Sequence, residues 1–159
     1  MGLDMFMERC NRKAWGYKDV YIDDAKKNNP KLYEKIKPFL TMRGQYLKWE
    51  SIFEEVGYWR KANAIHLWFV ENVQEGVDDC GIYEVSKEQL EDLLDVCHLV
   101  VENPAVAEEY LPTTSGFFFG STEYDEWYIQ DIKYTIEVLT KILAETDFET
   151  HMIAYRSSW

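Results

Sequence analysis

The stretch GYWRKANAIHLWFVENVQEGVDDCG, residues 57–81, sets Trp59, Arg60, Asn63 and His66 among apolar neighbours. An arginine fork suits bidentate contact with phosphate or carboxylate. The adjacent Trp59 offers a face on which a ring can stack while Arg60 grips the ring's anionic substituent. On a wheel advancing about 100° per residue, His66 falls near the centre of a stripe formed by Trp59, Ala62, Phe69, Val70 and Val73, with Asn63 at its edge. Buried polar groups must find hydrogen bonds. Asn63 and His66 are therefore either satisfied by neighbouring backbone or turned to a wet pocket that a ligand completes. The general rule favours the first, and the spacing leaves both open.

The second place with chemistry is SGFFFGSTEYDEWY, residues 115–128. Gly120, Ser121 and Thr122 would offer N–H groups and hydroxyls at the start of a helix, a ready anion site. Glu123, Asp125 and Glu126 already complement that helix end and oppose a phosphate there. Phe118 or Tyr124 would supply a second aromatic wall, so the candidate ligand-binding set is Trp59, Arg60, Asn63, His66, Phe118, Ser121 and Tyr124. The plain alternative makes Phe117–Phe119 a central strand covered on both faces.

No tight His or Cys pair of the zinc type is present, and VDDCGIYEVS lacks the alternating acids of a calcium loop. The P-loop, the dinucleotide glycine fingerprint and the G-x-S-x-G elbow are also missing. The expectation is no metal, no cofactor and no nominated catalytic residue. Asp78 and Asp79 read as turn formers.

These side chains must be positioned by a chain of 159 residues, a length that fits one domain. The three cysteines are an odd count at no ligand spacing, which predicts free thiols and a reducing cytoplasm. No basic-apolar leader and no apolar run of membrane-crossing length predict a protein neither exported nor embedded. Acids exceed bases by 29 − 17 = 12, so duplex nucleic acid is not an expected partner.

Strand alternation in MGLDMFME sets Leu3, Met5 and Met7 on one face, while Phe6 on the other predicts cover on both sides. Residues 11–48 lose periodicity and read as an irregular or mobile insertion with a short helix at KLYEKIK, while FLTMRGQYLKWE offers two short β-like runs broken at Arg43-Gly44, compatible with a hairpin and equally with an irregular crossing. A helix is predicted from about Ile52 to Gln74, stopped by Gly76. GIYEVS predicts a strand, and Ser86 with Gln89 a capping box opening a helix along Leu90, Leu93, Leu94, Cys97 and Val101. A short helix follows Asn103-Pro104. A last long helix is predicted over about 123–145, capped by Ser121 or Thr122 and anchored by Trp127, Ile132, Ile136, Leu139 and Leu143. THMIAYRSSW alternates and predicts a C-terminal strand beside the N-terminal one. The expected fold is α+β: a single domain with a small mixed or antiparallel sheet, holding both terminal strands and packed with about three helices.

The opening MGLDM, the segment YWRKANAIHLWFV, the loop GFFFGSTEYDE and the closing SSW resemble a group of small phage and prophage proteins. The resemblance spans the chain outside about residues 10–45. It implies a phage origin, with host cytoplasm as the setting, and names no activity. In that context the leading expectation is a non-catalytic binding protein that sequesters a small anionic, nucleotide-derived ligand against host defence. The alternatives are an inhibitor that docks on a host protein through surface Tyr and Trp, and a small-metabolite enzyme using His66 as acid or base. A homo-oligomer remains open among the partners.

Overall fold

The computed structural model describes residues 2–159. Strand β1 (Asp4–Asn11) lies between β4 (Glu54–Arg60) and β6 (His151–Ser158), and β5 (Ile82–Val85) closes the far side of β6. All pairings are antiparallel, so both terminal strands sit at the centre of the sheet as expected. Alternation explains the placement: Leu3, Met5 and Met7 are fully buried on the helix-covered face. Phe6 faces the other way, where the Arg156 guanidinium lies 4.3 Å from its ring centre. That second face is only partly covered around Phe6, by the Arg43, Tyr58 and Arg156 side chains.

Three helices cover the core face: α3 (Asn63–Asn72), α4 (Lys87–Glu102) and α6 (Glu126–Glu145). The capping box of α4 is formed, with Gln89 N–H donating to Ser86 Oγ at 3.1 Å and Ser86 N–H donating to Gln89 Oε1 at 2.8 Å. Leu90, Leu93, Cys97 and Val100 then meet Ile132, Leu139 and Ile142 of α6 in the main cluster. The short helix after Pro104 is a 3-10 turn, Pro104–Val106, running into α5 (Ala107–Tyr110). All three cysteines are free thiols.

Residues 11–48, expected to be irregular, hold a 3-10 turn at Arg12–Tyr17, α1 (Ile22–Asn28), α2 (Pro30–Ile36) and a second 3-10 turn at Lys37–Phe39. A hairpin of β2 (Thr41–Arg43) and β3 (Trp49–Ser51) follows. Arg43 ties it to the sheet through Glu8 and, at 3.0 Å, Glu55. A second small core of Cys10, Ala14, Ile52, Phe53 and Met152 fixes this layer.

Three sequence expectations are overturned. The helix expected from Ile52 begins only at Asn63, because residues 54–60 pair with β1, Trp59 opposite Met5. Gly57 permits this: a Cβ there would lie 2.7 Å from Val138 Cγ1, where α6 crosses the strand. The supposed central strand at Phe117–Phe119 is a turn closed by Phe119 N–H to Gly116 O at 3.2 Å, with Phe117 92% exposed. Among the described residues no strand pairs with it, and Phe118 O accepts from Leu3 N–H at 3.2 Å. The last helix starts at Glu126 rather than 123, capped by Asp125, whose Oδ1 accepts from Tyr128 N–H at 3.0 Å. An Asp carboxylate outcompetes the upstream hydroxyls as acceptor for first-turn amides.

Candidate functional site

Where β4 ends, the chain must turn sharply from sheet to helix. Lys61 makes the corner in the left-handed region (φ 62°), and its N–H donates to Leu3 O at 2.8 Å. Such a conformation strains a non-glycine residue by about 1 kcal/mol. Gly120 faces it, also left-handed (φ 87°), and a Cβ there would stand 3.2 Å from Lys61 Cβ.

The helix that follows is bare at its start. Ala62 occupies the N-cap without a side-chain acceptor, and the first turn carries no acid. Asn63 N–H finds Lys61 O, and His66 N–H finds Ala62 O. No acceptor meets the Ala64 or Ile65 amide among the described residues, and both residues line a cavity of about 310 Å³. Uncapped amides at the positive end of a helix dipole favour an anion. Arg60 and Lys61 line the same cavity. Arg60 is solvent-exposed, and its one ion pair among the described residues is with Asp4 at 4.0 Å.

The opposite wall comes from α6 and the loop before it: Glu123, Asp125, Trp127, Tyr128, Asp131 and Ile132. Trp127 is 73% exposed at the rim. Asp125 is committed to capping α6. Asp131 is half-buried, and no donor or cation pairs with its carboxylate among the described residues. Burial, with the Asp125 carboxylate as a second cause, pushes its carboxyl up to about 6. The cavity is therefore lined by cations at the β4–α3 corner and, on the α6 side, by carboxylates and the exposed Trp127.

The seven candidate residues separate. Arg60, Asn63 and Ser121 line the cavity. Asn63 is spent on structure: its Nδ2 donates to Phe119 O at 3.0 Å and Ser121 O at 2.8 Å, and its Oδ1 accepts from Thr114 N–H at 3.0 Å. It clamps the 114–121 loop against α3. Ser121 Oγ accepts from Glu123 N–H at 3.1 Å. Trp59 points under α6, where its Nε1–H donates to Thr135 Oγ1 at 2.9 Å. Phe118 packs edge-on against Phe117, and Tyr124 packs on Tyr128, its hydroxyl accepting from Thr113 N–H. None of these last three lines the cavity.

His66 is fully buried and internally bonded. Its Nε2 lies 3.0 Å from Asp78 Oδ2 and its Nδ1 2.7 Å from the Tyr155 hydroxyl. An ionised carboxylate only accepts, so Nε2 carries the proton and Tyr155 O–H donates to Nδ1. Burial, then the nearby Asp78, holds the Tyr155 phenol well above its ordinary range, which keeps that donor in place. Trp159 Nε1–H donates to the other Asp78 oxygen at 3.1 Å. The network fastens the C-terminal strand and the 73–81 loop to α3.

The sequence reading missed Lys61, the Ala64 and Ile65 amides and Asp131, and it made Trp127 an apolar anchor of the last helix, where the structure leaves it 73% exposed. A signal for two of them exists. The buried face of α6 runs through Tyr128, Ile132, Thr135 and Leu139; on a wheel of about 100° per residue, Trp127 falls off it and Asp131 on its border. No group of three or more potential metal ligands converges among the described residues. Compared with family models, curated proteins and solved structures, the chain matches none.

Proposed function

We propose that the protein is a non-catalytic binding protein whose cavity between β4, α3 and α6 retains a small anionic, ring-bearing molecule of the nucleotide kind. The observation that carries this reading is the bare α3 N-terminus: it has no side-chain cap, and its residues Ala64 and Ile65 line a cavity that Arg60 and Lys61 also line. A phosphate there would take the uncapped amides and the arginine fork together. Trp127 at the rim offers the face for a ring. Both ring nitrogens of His66 are engaged away from the cavity, so the geometry favours retention over acid-base chemistry. In a phage setting, such retention would withdraw a nucleotide-derived signal from a host defence.

The test is to incubate the protein with host and infected-cell metabolite extracts, repurify it, denature it and identify released molecules by mass spectrometry. An anionic ring compound recovered unchanged from the wild type and lost from Arg60→Ala is the expected result. Recovery of nothing, or equal recovery from the variant, refutes the reading.

One observation favours docking on a host protein instead. Residues 12–48 hold ten Lys and Arg against four Asp and Glu, a net of +6 in a chain of −12, which leaves −18 elsewhere. At the hairpin tip Tyr46 is 89% and Leu47 83% exposed. Exposed apolar side chains on a segment of net positive charge suit an acidic protein surface. Capture of a single host protein that is lost on Tyr46→Ser with Leu47→Ser would favour this second reading.

A further inference from the structure

A carboxylate placed against the buried face of α6 needs a partner, and Asp131 has none among the described residues. Its backbone carbonyl accepts from Thr135 Oγ1 at 2.7 Å, while its carboxylate has no hydrogen-bond partner among the described residues and the residue lines the cavity. The charged groups around that cavity are Arg60 and Lys61 from the β4–α3 corner, Glu123 and Asp125 from the loop before α6, and Asp131 from α6. Asp125 is occupied by the Tyr128 amide. Asp131 is thus the half-buried acceptor left for a bound molecule whose anionic end lies at α3.

We infer that Asp131 reads the ring of the ligand, and that the ligand is a guanine nucleotide. The inference rests on the binding reading above and adds the identity of the base. An ionised carboxylate has two acceptor oxygens and no donor. Among the common bases only guanine offers two adjacent donors, N1–H and N2–H₂, on its Watson–Crick edge. Adenine and cytosine set one amino donor beside a lone-pair acceptor, which would face the second carboxylate oxygen repulsively. Uracil sets a single N–H between two carbonyls. A bidentate pairing of this kind discriminates between bases by about 10- to 100-fold.

The ionisation of Asp131 gives the pairing a second signature. Its carboxyl titrates at about 6. Above that it accepts from guanine; below it, the protonated acid has one donor and one acceptor, the pattern that adenine complements. The phosphate titrates in the same range, but equally for both nucleotides. The affinity ratio therefore isolates the base.

The experiment measures GMP, AMP and ribose 5-phosphate binding by equilibrium dialysis to wild type, Asp131→Asn and Arg60→Ala. At about pH 7.5, GMP should bind about 10- to 100-fold tighter than AMP. At about pH 5 that ratio should shrink, because the acid is protonated there. Asp131→Asn, whose amide opposes a donor edge, should lose the preference while keeping ribose 5-phosphate binding. Arg60→Ala should weaken both nucleotides alike. Equal GMP and AMP binding, or a preference that survives Asp131→Asn, overturns the base assignment and leaves the anion-binding cavity standing. Failure of all three probes to bind overturns both. Because Asn removes a buried charge with no partner, the variant is expected to fold; its circular dichroism and melting curve check that, and Asp131→Ser repeats the test without the amide.

Discussion

Replacing Asp131 by Asn should stabilise this protein at neutral pH and do nothing to it in acid. The carboxyl rises from 3.8 to about 6 in the folded chain, chiefly through burial. Two units correspond to at most about 3 kcal/mol, and because the side chain keeps contact with solvent we discount this to about 1–2 kcal/mol. The folded-state pKa lies above the unfolded one, so the native state binds more protons between about pH 4 and 6. Stability therefore falls as pH rises through that window, and the loss is complete above it. At about pH 7.5 the Asn variant should melt roughly 2–6 °C higher; at about pH 3.5, where both states are protonated, the two melting curves should coincide. Thermal denaturation at the two pH values decides. No gain at neutral pH, or the same gain at both, would show that Asp131 is neither desolvated nor unpartnered.

Other interactions lead to equally concrete expectations. Asn63→Ala removes three hydrogen bonds from the 114–121 loop and should cost about 2–4 kcal/mol in urea melts; less than 1 kcal/mol would mean the loop holds itself. Tyr155→Phe leaves the buried Nδ1 of His66 without its donor, with an expected loss of about 1–3 kcal/mol, and an unchanged midpoint would argue against the assigned tautomer. Gly57→Ala places a methyl 2.7 Å from Val138 Cγ1 and should destabilise by about 1–3 kcal/mol; Val138→Ala in the same chain should recover part of that loss. Ser86→Ala breaks the capping box of α4 at a cost of about 1 kcal/mol, read from the same melts.

Several elements were legible because their causes are local. Period-two alternation placed Leu3, Met5 and Met7 in the core. Ser86 and Gln89 announced the start of α4 with the two bonds that form there, and alternation in the C-terminal segment led to the strand beside β1. The free thiols and the α+β class followed from counts and patterns that need no partner.

Segments whose state depends on a distant partner were not legible. Residues 54–60 read as part of α3 through their continuity with it, although Gly57 weakens a helix and Val56, Tyr58 and Trp59 suit a strand. Pairing with β1 settles them in the sheet, with Gly57 and Trp59 buried and Tyr58 and Arg60 exposed. The wheel that put Trp59 beside His66 therefore joined a strand residue to a helix residue. Phe117–Phe119 has strand composition but meets no strand, so it turns. The sequence supplied Arg60 as a cation and His66 as a buried polar group; tertiary packing decided that His66 is satisfied by Asp78 and Tyr155 while Arg60 opens onto a cavity. That cavity exists because two long-range placements coincide: α3 begins without a cap, and Asp131 on α6 is brought to the opposite wall. Hydrogen-bond satisfaction and desolvation are properties of a three-dimensional neighbourhood, and one-dimensional spacing does not contain them.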